Sequence, residues 1–108
     1  MFLEGVTVVE WSDDIASQFA ARLLGDLGAE VIRFEPPGGN SRSRNRLPWP
    51  GAADDGGNGA LYEFLNAGKR RATVDPAVAV DVAHFRRELE RADVLVNRPW
   101  TSRSLPPR

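Results

Sequence analysis

The chain has 108 residues, a formal net charge of −1 and no cysteine. That length suits one domain, and so small a charge creates no field to gather nucleic acid or an anionic membrane surface. Disulfides and cysteine-held metal are excluded, no apolar run approaches the roughly 20 residues that span a bilayer, and Met1–Val6 lacks the basic-then-apolar pattern of a secretory leader, so the expected setting is the cytoplasm.

Val6-Thr7-Val8-Val9-Glu10-Trp11, rich in β-branched residues and bounded by Gly5 and Ser12, predicts a first strand. Ser12-Asp13-Asp14 then offers a helix cap and two acids for the first turn, where the helix dipole favours them. Ile15, Phe19, Leu23 and Leu27 recur every fourth residue, with Ala16 and Ala20 beside them, and form one apolar face of a helix. Gly28 stands where a left-handed residue closes that helix. Val31 to Phe34 predicts a second strand, which runs into a Pro- and Gly-rich loop over residues 36–60. A loop of that length in a small domain is either functional or disordered. Within the loop, Trp49 between Pro48 and Pro50 is read either as a packing residue or as part of a ligand cleft.

Leu61 to Leu65 reads as a short helical turn and Arg71 to Val74 as a third strand. Asp75-Pro76 reads as a cap followed by proline at the first helical position. Val78, Val82, Phe85 and Leu89 supply the apolar stripe of that helix. Asp93-Val94-Leu95-Val96-Asn97 is apolar enough throughout to suggest a fourth strand in the interior of a sheet. Residues 99–108, with three prolines, are expected to be an irregular tail. Strand and helix alternate, and right-handed crossovers make the sheet mostly parallel. The fold expected over residues 1–98 is therefore α/β and Rossmann-like, with about four strands and one helix on each face. So thin a covering leaves apolar sheet surface for a missing remainder or a partner.

Ligands in such sheets sit beyond the carboxyl ends of the strands. No Gly-x-Gly-x-x-Gly or Walker-type loop follows the first strand. The turn Trp11-Ser12-Asp13-Asp14-Ile15-Ala16 fits either a plain helix cap or a contact with a neutral part of a ligand, since its two acids repel a bare phosphate. Arg42, Arg44 and Arg46 fit either a phosphate clamp or a solvated loop. Lys69-Arg70-Arg71 fits either a ligand-facing cluster or a charged strand margin. His84 falls off its helix's apolar stripe and is expected to face solvent. With a single histidine and no cysteine there is no Ser/His/Asp set and no metal site to propose. The carboxylates show no pairing that marks acid–base chemistry.

Several blocks carry a resemblance. Leu3-Glu4-Gly5-Val6-Thr7-Val8-Val9-Glu10, the run Asp26-Leu27-Gly28-Ala29-Glu30-Val31-Ile32-Arg33-Phe34-Glu35-Pro36-Pro37-Gly38-Gly39-Asn40, Leu65-Asn66-Ala67-Gly68-Lys69-Arg70, and Ala92-Asp93-Val94-Leu95-Val96-Asn97-Arg98-Pro99 occur in order. Together they resemble the amino-terminal region of the family III CoA-transferases, which includes formyl-CoA and carnitine CoA-transferases and the related α-methylacyl-CoA racemases. The resemblance implies a Rossmann-like half that binds coenzyme A or an acyl-CoA as substrate, in subunits that interlock as ring-shaped dimers. It also implies transfer of CoA between carboxylic acids through an intermediate on an enzyme aspartate, a covalent route that divides one hard displacement into easier steps.

By that resemblance Ala16 and Val74 would lie along the CoA, and Arg42, Arg44, Lys69 and Arg70 would face its phosphates. The family's Ala-Gly-Pro helix start is here Ala16-Ser17-Gln18, the acid of its Gly-Gly-Asp turn is Asn40, and its Lys-x-Pro-Glu-Gly is replaced by Asp75-Pro76-Ala77-Val78. No acid here occupies the motif of the family's nucleophile, so no catalytic residue is assigned. Three functions are expected to compete: the CoA-binding part of a transferase, a non-catalytic subunit that docks on a longer transferase chain, and a racemase-like relative.

Overall fold

Residues 1–38 and 59–98 are described by the structure, a computed structural model. Four strands and three helices alternate along them: β1 (Thr7–Trp11), α1 (Ile15–Asp26), β2 (Glu30–Glu35), α2 (Ala60–Asn66), β3 (Arg70–Thr73), α3 (Ala79–Arg91) and β4 (Val94–Asn97). The strands form one parallel sheet in the order β3-β2-β1-β4. From β1 the chain steps outward through β2 to β3. It then crosses the whole sheet to place β4 on the far side of β1. Right-handed crossovers in opposite directions put their helices on opposite faces, and α1 and α3 indeed cover opposite faces. The α/β class and the parallel sheet are as the sequence led one to expect. Most of the loop (residues 39–58) and the tail (99–108) lie outside the described residues.

Side chains alternate across a strand with period two, and the two faces differ sharply. Val9, Trp11, Ile32 and Phe34 point toward α3, where they join Val74 and Phe85 in the larger core. Its rings meet edge to face, Phe34 with Phe85 at 5.0 Å and Trp11 with Phe85 at 5.9 Å between centroids. The other face offers Val8 and Val31, which pack with Ala21. Beyond them, toward the carboxyl ends, that face carries Glu10, Arg33 and Glu35, all buried.

Three expectations are corrected. First, Ile15, Phe19, Leu23 and Leu27 do not face the sheet; they are 40–47% exposed. The side of α1 turned inward carries buried Gln18 and Ala21, with Gly25 close enough that an added Cβ would lie 3.4 Å from Val31 Cγ2. Small residues let the helix approach closely, and Gln18 meets the polar half of the face. Second, β4 is apolar but lies at an edge of the described sheet, not inside it. Its ends are pinned to β1: Asp93 Oδ2 accepts from the Thr7 N–H at 2.9 Å, and the Arg98 N–H donates to the Trp11 carbonyl at 3.0 Å. Third, α3 begins at Ala79, after Val78, instead of at Pro76. Asp75 instead closes a turn, its Oδ1 accepting from the Ala77 N–H at 2.9 Å. An aspartate that bonds its own backbone two residues on competes with helix entry.

His84 is also only partly as expected. It is half-buried, with its ring edge-on to Phe34 at 5.5 Å.

At the end of α1, Gly28 has φ +109°, and an added Cβ would stand 2.5 Å from Met1 Cβ and 3.2 Å from the Glu4 nitrogen. Gly28→Ala is expected to destabilise the fold by about 1–2 kcal/mol through the left-handed backbone alone. Urea unfolding checks this as a lower midpoint with an unchanged slope.

Candidate functional site

The strand order reverses between the parallel neighbours β1 and β4, which makes this the topological switch point of the sheet, and in open α/β sheets ligands bind outside the strand ends there. The β1–α1 turn forms one lip of this rim. Asp14 caps α1, its Oδ2 accepting from the Ser17 N–H at 2.9 Å. Asn97 and Arg98, exposed at the end of β4, form the other lip. In the sequence these two stand out only as part of the run Ala92 to Pro99. Strand order is what brings them beside the end of β1, and strand order is not written in any local pattern.

Beneath the rim lies a closed set of charges. Glu10 Oε2 accepts from Arg33 Nη1 at 2.8 Å and from Ser12 Oγ at 2.7 Å. Glu10 Oε1 accepts from Lys69 Nζ at 2.8 Å. Arg33 Nε donates to Glu35 Oε2 at 2.8 Å, and the Tyr62 hydroxyl donates to that same oxygen. Lys69 Nζ makes two further bonds, to the Gln18 carbonyl at 2.9 Å and to Asn66 Oδ1 at 2.8 Å. Arg71 lies over the Tyr62 ring at 5.0 Å, a cation–π contact that covers the cluster from outside. Two carboxylates thus meet two buried cations. Breaking one such pair leaves an uncompensated charge, a loss of about 3–5 kcal/mol, whereas the intact pair contributes little net stability.

Electrostatics follow from this enclosure. Burial works against the charge on Arg33, but Glu10 and then Glu35 outweigh it and hold its pKa above the ordinary guanidinium value. For Lys69 burial wins. Despite the attraction of Glu10, desolvation aided by Arg33 and Arg71 lowers its pKa below the usual 10.5.

The six residues expected to hold ligand are distributed as follows. Ala16 is exposed in the first turn of α1, on the rim. Val74 follows β3, two strand spacings or roughly 10 Å from the end of β1. Its side chain is buried in the core under α3, and its N–H bonds the Glu35 carbonyl at 2.8 Å. Lys69 directs its ammonium inward, with a side chain only 1% exposed. Arg70 is exposed and pairs with Glu30, at the amino-terminal end of β2. Arg42 and Arg44 lie outside the described residues. The structure therefore brings Ala16 and Val74 to the carboxyl rim and does not bring Lys69 and Arg70 together. Among the described residues, no group of three or more His, Asp or Glu side chains stands together as a metal site would require, and no helix is long and apolar enough to cross a membrane.

The described residues form an α/β unit with a four-stranded parallel sheet whose switch point falls between β1 and β4. Residues 3–101 match the model of CoA-transferase family III, and the chain belongs to that family. It is 32% identical over 94 residues to succinyl-CoA:mesaconate CoA-transferase of Haloarcula hispanica, covering 87% of this chain and 24% of that protein. It is 37% identical over 84 residues to 2-methylfumaryl-CoA isomerase of Chloroflexus aurantiacus, covering 78% of this chain and 18% of that one. The crystal structure of a CAIB/BAIF family protein from Brucella suis superposes with a TM-score of 0.74 at 34% identity, over 86% of this chain and 24% of its own. The chain thus spans about a quarter of the length of such relatives, corresponding to their amino-terminal portion.

The lowered pKa of Lys69 has a definite sign. Between its folded value and 10.5 the unfolded chain holds more protons at this site, so folding stability gains with rising pH there. The stability of the wild type relative to Lys69→Met is expected to increase as pH rises toward 10.5, and chemical denaturation at a series of alkaline pH values measures it.

Proposed function

We propose that this chain is the CoA-binding, amino-terminal part of a family III CoA-transferase, an enzyme that moves coenzyme A between carboxylic acids through an aspartyl intermediate. The observation that carries the reading is the topological switch point at β1/β4 in a chain belonging to this family. Ala16 and the backbone at Val74 line the CoA, and Arg42 and Arg44 meet its phosphates, where guanidinium groups make paired charge-assisted bonds. Lys69 serves that site from within, by holding α1 and α2 to β1. The nucleophile is supplied by residues beyond these, so the chain alone binds without turnover. A racemase or isomerase would use the same binding half. The cytoplasm, where acyl-CoA thioesters are made and used, is the fitting compartment.

Calorimetric titration with CoA at moderate salt tests this. A saturable isotherm and a raised melting temperature are expected, because a ligand that binds only the folded state stabilises it. The absence of both at millimolar CoA overturns the reading. Replacing Arg42 and Arg44 together by Gln is expected to weaken binding by about tenfold or more, the worth of one or two charge-assisted hydrogen bonds.

A second reading is favoured by one observation. The stripe Ile15, Phe19, Leu23 and Leu27 lies open, extended by Phe64, whose ring stacks on Phe19 at 6.2 Å. Such a patch suits a non-catalytic subunit docked on a longer transferase chain, since contiguous exposed apolar area marks interaction sites. Light scattering after size exclusion, with and without a full-length family member, distinguishes the readings. A complex that forms with the wild type and is lost in Leu23→Lys supports docking; a monomer indifferent to the longer chain removes it.

A further inference from the structure

The order β3-β2-β1-β4 is the first part of the 3-2-1-4-5-6 order of doubly wound sheets. From β1 to β3 the chain steps one way. The two helices of those steps share a face, with Asn66 Nδ2 of α2 donating to Gln18 Oε1 of α1 at 3.0 Å. The step to β4 runs the other way, and α3 covers the opposite face. A further parallel strand beyond β4 continues in that second direction. Its right-handed crossover then puts its helix on the α3 side, next to α3.

Among the described residues that place is open. Between α3 and β4 lies a groove of about 310 Å³, lined by Arg86, Leu89 and Glu90 of α3 together with Ala92, Val94 and Leu95. Leu89, Ala92 and Leu95 are partly buried against the larger core, so an apolar side chain entering the groove extends that core. Val94 is 39% exposed. β4 is paired on one side only, with β1. Sheet edges that face water are commonly blunted by charge or proline, and Val94-Leu95-Val96 carries neither. The relatives contain enough polypeptide for an occupant, since this chain spans only 24% of the Haloarcula hispanica transferase and 24% of the Brucella suis protein. A parallel connection takes a crossover of about a dozen residues or more before its strand begins, more than residues 99–108 provide.

We propose that the β4 edge and the groove beside α3 form one docking surface. Its occupant is a helix–strand unit from the part of a family III chain that this sequence does not span. The strand lies parallel to β4, and the helix seats its apolar side chains in the groove. This surface is separate from the outer stripe of α1 and does not depend on CoA binding.

The test co-expresses this chain with the Brucella suis relative from which the matched amino-terminal quarter is removed. Amide hydrogen exchange is read in the chain alone and in the complex. In the chain alone, alternate amides of β4 are expected to exchange freely while those of β1 are protected. In the complex the free ones are expected to slow about tenfold or more. Val94→Lys puts a charge on the edge, and Glu90→Trp fills the groove from an exposed position of α3. Each is expected to weaken the complex about tenfold or more, and where Val94→Lys lowers the melting temperature of the chain, Glu90→Trp decides. Leu23→Lys is expected to leave the complex intact. The proposal is overturned if every β4 amide is already protected in the chain alone, because the edge is then filled from within. It is overturned equally if co-expression yields no complex, if β4 exchange is unchanged in the complex, or if a stably folded edge or groove variant binds as the wild type does. A complex lost in Leu23→Lys and kept in the other two variants belongs to docking through the α1 stripe and also overturns it.

Discussion

Two carboxylates and two cations are enclosed on one face of a four-stranded sheet, and the rest of the molecule is arranged around keeping them paired. Glu10 stands between Arg33 and Lys69, and Arg33 stands between Glu10 and Glu35. A buried ion is tolerable only with its partner in place, so β1, β2 and the segment leading into β3 cannot move independently. The partners also dictate which helices pack above. α2 supplies Tyr62 and Asn66 as neutral hydrogen-bonding groups, and α1 supplies Gln18. An aliphatic side chain at position 18 would leave the Asn66 amide without that acceptor.

This constraint divides the hydrophobic core unequally. The α3 side carries aromatic contacts among Trp11, Phe34 and Phe85, while the α1 side has a small patch of Val8, Ala21 and Val31. With the carboxyl half of the sheet face beneath it committed to polar groups, α1 presents its longest apolar residues outward. The helix is amphipathic in the ordinary sense, but its apolar stripe serves an outer surface and not the sheet beneath.

Much of the architecture was legible from local pattern. The β-branched runs around Val8 and Val31 gave strands, Gly28 marked the end of α1, and the Val82/Phe85/Leu89 spacing identified the buried side of α3. What stayed hidden has a common physical origin. Periodicity says that Ile15, Phe19, Leu23 and Leu27 share a face, but not what lies against it. The apolar content of β4 suited an interior strand, but its place was decided by the direction of a crossover. Asp75-Pro76 had the composition of a helix start, and the competing Asx turn won because its hydrogen bond closes within three residues. At the candidate site, Ala16 and Val74, singled out through family resemblance, both lie toward the carboxyl ends of the strands. Lys69 was singled out as a cation, yet its partner Glu10 is brought to it only by the fold of the sheet, while Asn66 stands three residues before it in the chain. Charge alone does not reveal whether a lysine reaches outward or inward.

The two borders of the sheet are chemically unlike. β3 carries Arg70 and Arg71, whose bulky cationic side chains discourage a further strand from annealing alongside. β4, Val94-Leu95-Val96-Asn97, has no such guard, and its outer backbone groups are unmatched by any strand among the described residues. Among the described residues, the backbone donors and acceptors of β4's outer side thus stand beside apolar side chains, while those of β3's outer side stand beside two arginines.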